Sequence, residues 1–134
     1  MKRFTCTVCP RGCLLTVEAD ERGSLLSVSG NACPRGEVYA EKEMVHPQRV
    51  LTATCPLDTG DAVLPLTFPR RVPVKTTTPM PRHLLRELAA ELLVMPVALP
   101  VRASQVIVAD WRGLGITVIA TRDIDLSNRV PNER

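Results

Sequence analysis

The sequence predicts an α+β protein in two parts: a small N-terminal lobe, residues 1–50, holding a metal-binding cysteine set, a β-hairpin and a short helix, and a β-rich lobe, residues 51–134, with one amphipathic helix. Three observations carry that prediction. Four of the five cysteines fall within the first 36 residues, short β-branched runs recur between turn signals, and a single stretch repeats its apolar residues at helical spacing. With 134 residues the chain can also be read as one continuous domain.

Cys6, Cys9, Cys13 and Cys33 follow the spacing C-x2-C-x3-C-x19-C. Three ligands on one tight loop and a fourth from a distance suit a 4Fe-4S cubane, in which each iron takes one thiolate. Structural zinc more often uses two separated C-x2-C knuckles, and only Cys6 and Cys9 form one here; zinc remains the alternative, and a disulfide pair ranks third. Pro10 and Pro34 each follow a presumed ligand, where they stop helix or ladder from continuing. Gly12 and Gly36 suit a backbone that wraps closely round a bound group.

Taken in order, Leu14–Glu18 and Ser24–Ser29 read as strands joined by a turn at Asp20-Glu21-Arg22-Gly23, which would bring Cys33 back to the first three cysteines. Arg35–Met44 is rich in helix formers and stops before His46-Pro47. Leu51–Leu57 and Ala62–Thr67 bracket Asp58-Thr59-Gly60-Asp61 and predict a second hairpin. Val72–Thr78 is extended, and Pro73 assigns it to a sheet edge. Pro56–Pro73 holds four prolines and is a second candidate for the junction between the lobes. From Arg82 to Val94, Leu84, Leu85, Leu88, Ala89, Leu92 and Leu93 form one helical stripe, with Pro81 in the first turn. Val97–Val101, Gln105–Asp110 and Ile116–Thr121 return to β character, with a turn at Trp111–Gly115, and the polar end from Arg129 is expected to fray.

Composition excludes several functions. A net charge of +3 and aromatic content of 3% supply neither the basic surface nor the stacking platform of a nucleic-acid binder. No run approaches the roughly 18 apolar residues of a membrane span, and the start lacks a signal-peptide core, so a cytoplasmic location and reduced thiols are expected. No G-x-S-x-G, Walker A or G-x-G-x-x-G loop is present, and no nucleophile–base pair can be assigned, so no catalytic residue is expected. Cys55 reads as a buried free thiol, His46 as a helix-end cation, His83 as an i,i+4 partner of Glu87, and Trp111 as either a docking anchor or a lid over the core.

Cys6-Thr7-Val8-Cys9-Pro10-Arg11-Gly12-Cys13 and Gly30-Asn31-Ala32-Cys33-Pro34-Arg35-Gly36, together with His46–Thr52, Pro73–Thr76 and Ala120–Arg122, resemble a family of small four-cysteine prokaryotic proteins grouped as a domain of unknown function. That resemblance implies metal binding and genes beside FAD-dependent oxidoreductases of the glycerol-3-phosphate dehydrogenase type. The N-terminal third is also similar to the 4Fe-4S domain that opens molybdopterin-dependent formate dehydrogenases and nitrate reductases. This second resemblance implies cluster ligation by Cys6, Cys9, Cys13 and Cys33 and places a basic residue, Arg35, two positions after the last ligand; the chain is too short for the pterin-binding domains. The expectation is therefore a non-catalytic 4Fe-4S electron-transfer subunit of an FAD-dependent dehydrogenase, with a zinc-stabilised adaptor as the alternative.

Overall fold

The computed structural model describes residues 1–126; the expected fraying from Arg129 lies outside them. It is an α+β fold, and the chain falls into two compact units, Met1–Gln48 and a second beginning at Arg49.

The first unit is an antiparallel three-stranded meander, β1 (Lys2–Thr5), β2 (Leu14–Ala19) and β3 (Leu25–Ser29), followed by helix α1 (Pro34–Val45). The β2–β3 hairpin forms as expected: Asp20 Oδ1 accepts the backbone N–H groups of Arg22 (2.9 Å) and Ser24 (2.8 Å), an Asx-type closure of the turn. The sequence reading assigned no strand to Lys2–Thr5, which pairs along its length with Leu14–Val17. Leu15, Val17, Ala40 and Cys6 form the buried core, and Phe4 meets Tyr39 edge-to-face at 6.0 Å between ring centroids.

The two-residue strand β4 (Gln48–Arg49) stands at the junction of the units. The second unit then contains β5 (Thr52–Asp58), β6 (Arg71–Thr76), β7 (Met80–Pro81), a 3-10 turn (Arg82–Leu84), α2 (Leu85–Leu93), β8 (Val97–Ala98), β9 (Val106–Trp111) and β10 (Ile116–Ala120). Its main sheet has the order β8-β5-β6-β10-β9, antiparallel except for β5 with β8. Alternation sets the inner face: Val72, Val74 and Thr76 on β6 and Ile116, Val118 and Ala120 on β10 are buried. Leu88 and Leu92 of α2 pack in the same core. Thr76 satisfies its buried hydroxyl by accepting the Leu51 N–H at 3.0 Å. At the end of α2 the Leu93 carbonyl accepts from Arg71, which also donates to Thr54, so a cation sits where the helix dipole favours one.

Two expectations in this unit are corrected. Ala62–Thr67 is not a strand; β5 pairs instead with β6, and residues 59–70 form the connection. The run Ala62-Val63-Leu64-Pro65 has strand-like residues, but Pro65 and Pro69 deny it a continuous ladder. Pro73 also lies in a central strand rather than at an edge. The register explains why it is tolerated: β10 pairs with β6 only as far as Ala120 opposite Val74, and the Pro73 carbonyl accepts the Thr121 N–H at 3.0 Å on that same side. A residue's N and C=O point the same way in a strand, so the missing N–H faces the place where β10 has already ended. The proline-rich stretch Pro56–Pro73 falls within the second unit.

Candidate metal centre

The cysteines are placed by the two hairpins of the first unit. The β1–β2 ladder continues one step beyond Thr5 and Leu14, where the Cys6 N–H donates to the Cys13 carbonyl at 2.8 Å. Cys6 and Cys13 therefore face one another across the base of a loop whose tip carries Cys9, and Gly12 turns that loop with φ of 67°. The β2–β3 hairpin then returns the chain to the same end of the sheet. There Gly30, with φ of 88°, passes so close to β2 that a Cβ would lie 2.1 Å from the Leu14 carbonyl oxygen.

Cys33 follows as the N-cap of α1, with Pro34 at the first helical position. The Asn31 side-chain amide donates to the Cys33 carbonyl at 3.1 Å, and Gly36 lets α1 lie against this loop, since a Cβ there would come within 2.6 Å of Asn31 Cβ. The sequence marks Gly12 and Gly36 for this work; it missed Gly30 and Asn31, whose signal is the Gly-Asn pair three residues before the last cysteine.

Cys6, Cys9, Cys13 and Cys33 line one partly open cavity of about 190 Å³, together with Arg11 and Arg35. All four are free thiols; Cys6 is buried and the other three are half-buried. A hydrogen bond from the Arg35 side chain, helped by the Arg35 and Gly36 backbone N–H groups, holds the Cys33 thiol below its ordinary value against a smaller effect of burial. Arg35 is in turn raised by Cys33 first and by Cys9 and Cys6 less, and it lines the cavity with them. The cavity therefore offers four thiol sulfurs and positive charge beside them. No group of three or more His, Cys, Asp or Glu side chains among the described residues is arranged to hold a metal ion.

The remaining candidates do not line this cavity. Cys55 is fully buried in β5, where burial pushes its thiol up. His46 caps the end of α1 through its backbone N–H to the Lys42 carbonyl, and it is exposed. Glu87, assigned from sequence to His83, pairs instead with Arg112. Trp111 is 5% exposed and belongs to the core: its indole N–H donates to Glu91 at 2.6 Å, and Arg112 stacks over its ring at 4.3 Å while also bonding Glu91 at 2.8 Å. No helix among the described residues is long and apolar enough to cross a membrane.

No curated protein and no solved structure matches the chain. The profile of one family, described as "Protein of unknown function (DUF1667)", matches residues 34–122. The match starts at Pro34, immediately after the last of the four cysteines, and runs through α1 and the main sheet to just past β10. The chain thus belongs to the DUF1667 family, and its cysteine loop and β1–β3 meander precede the matched region.

Proposed function

We propose that Cys6, Cys9, Cys13 and Cys33 ligate one 4Fe-4S cluster and that the protein is a non-catalytic, cytoplasmic electron-transfer partner of an FAD-dependent dehydrogenase of the glycerol-3-phosphate dehydrogenase type. The carrying observation is that four thiols and the Arg35 guanidinium surround one cavity of about 190 Å³. The spacing C-x2-C-x3-C-x19-C, three thiols on one loop and a fourth from a distance, suits a cubane with one thiolate per iron, which would supply one-electron chemistry. Arg35 offsets the negative charge that such a group adds, and the N-terminus of α1 presents N–H groups toward Cys33. The dehydrogenase is supported by the resemblance of the cysteine segments and of His46–Thr52, Pro73–Thr76 and Ala120–Arg122 to proteins encoded beside such enzymes.

Anaerobic purification followed by iron, sulfide and zinc analysis tests the first half. Brown protein with about four irons and four sulfides per chain is expected. Colourless protein with one zinc and no acid-labile sulfide would establish the adaptor reading instead. Mixing the protein with the flavoprotein, adding its substrate anaerobically and following bleaching of the visible absorbance tests the second half; flavin reduction beside an unchanged, intact cluster would exclude electron transfer between them.

A further inference from the structure

Beside the cysteine cavity a shallow groove of about 300 Å³ is lined by Val8, Arg35, Val38, Tyr39 and Lys42. Val8 comes from the cysteine loop and the other four from α1. The helical repeat places Arg35, Val38, Tyr39 and Lys42 on one face, Gly36 and Ala40 toward the core, and Glu37 and Glu41 on a third face. The groove thus has an apolar floor rimmed by two cations. Val8 is 45% and Val38 52% exposed, and both line this groove. No salt bridge among the described residues engages Lys42, and Arg35, exposed and with five N–H donors, bonds Cys33 while also lining the groove. Val8 and Arg35 line both the groove and the cysteine cavity, so whatever sits in the groove adjoins the thiols.

We infer that this groove docks an acidic segment of a partner protein, with an apolar side chain seated between Val8 and Val38 and flanking carboxylates on Arg35 and Lys42. The chemistry follows from complementarity: the floor rewards burial of a leucine- or phenylalanine-sized group, and the cations select carboxylates and repel a basic competitor. The inference rests on the reading of the cysteines as an electron-transfer centre for its purpose, since docking here brings a partner next to the cluster. It does not rest on it for its measurement.

The test uses full-length protein and a fluorescein-labelled ten-residue peptide with a central leucine–phenylalanine pair flanked by glutamates, compared by polarisation with its glutamine counterpart. The glutamate peptide is expected to bind at low salt and to weaken as ionic strength rises from about 0.01 M to 1 M, where the Debye length falls from about 30 Å to 3 Å. Val38→Asp and Lys42→Glu should each weaken it about tenfold, whereas Glu41→Gln, on another face, should not. Equal binding of the two peptides, no binding of either, or undiminished binding to Val38→Asp overturns the inference. So does cosedimentation with phosphatidylserine vesicles in place of peptide binding. Metal content is read on the same samples: colourless, zinc-loaded protein that binds the glutamate peptide removes the cluster and keeps the docking groove, and brown protein that binds neither peptide does the reverse.

Discussion

Gly30→Ala, set against Gly23→Ala, isolates the step that brings Cys33 to the other thiols. Both glycines have left-handed backbones, φ of 88° and 82°, so both substitutions impose the same strain of about 1–2 kcal/mol on an L side chain. They differ in surroundings. An alanine Cβ at position 23 meets nothing within 4 Å, whereas at position 30 it would lie 2.1 Å from the Leu14 carbonyl oxygen, with the carbonyl carbon at 3.3 Å. Backbone cannot rotate away as a side chain does, so either β2 or the loop leading to Cys33 must retreat by roughly 1 Å to reach an allowed contact. Forced overpacking of this kind costs a further 1–3 kcal/mol or so. Gly30→Ala should therefore destabilise the first unit by roughly 2–5 kcal/mol and Gly23→Ala by about 1–2. Chemical denaturation followed by circular dichroism gives the stability difference, and metal per chain with alkylation of the cysteines gives the effect on the site. The expected result is a Gly30→Ala protein depleted in metal with rapidly alkylated thiols, beside a Gly23→Ala protein that keeps its metal. Equal stability and equal metal content in the two variants would refute the view that this close approach positions Cys33.

Cys33→Ser should lose or degrade the metal centre and loosen the first unit, because binding and folding are coupled in small sites, while Cys55→Ser, in the second unit, should leave metal content unchanged; iron and zinc analysis of the two variants decides it. Leu88→Ala empties a fully buried position on α2 and should cost about 2–5 kcal/mol in a denaturant melt, against less than about 0.5 for Leu93→Ala, which is 58% exposed. Glu91 is held below the ordinary carboxylate range, first by the Trp111 indole and then by Arg112, so its contribution is complete above a pH of about 4.5 and fades as pH falls through its lowered value. Glu91→Gln should consequently flatten the acid side of the stability profile and alter Trp111 fluorescence; an unchanged profile would show that this contact does not contribute.

The parts of the fold legible in the sequence were those where local chemistry and tertiary demand agree. Asp20 to Gly23 closes a turn with its own side chain, and the Leu84–Leu93 stripe has its inward pair, Leu88 and Leu92, at the spacing a helix requires. The misread elements are those in which the partner decides. Lys2–Thr5 has two cations and no alternation to mark it, and it is a strand because β2 offers it a ladder. Val63 and Leu66 belong to a run that looks extended, yet they are 98% and 96% exposed, since β5 takes β6 as its neighbour instead. Pro73 was assigned to an edge by a rule about missing donors, and that rule is satisfied another way when the neighbouring strand stops one residue short.

The site shows the same division. Spacing alone identified four cysteines that converge on one cavity, because a hairpin between Cys13 and Cys33 must return the chain to its origin. It did not reveal that a first hairpin, β1 with β2, makes Cys6 and Cys13 cross-strand neighbours, so that two of the four thiols are organised by ladder register rather than by loop conformation alone. Cys6 and Cys13 are held by the ladder and Cys33 by the Gly30 approach and the Asn31 hydrogen bond, whereas Cys9 stands at the loop tip. In the proposed cluster, Arg35, carried by the same helix start as Cys33, would stand beside the ligand whose charge it would offset.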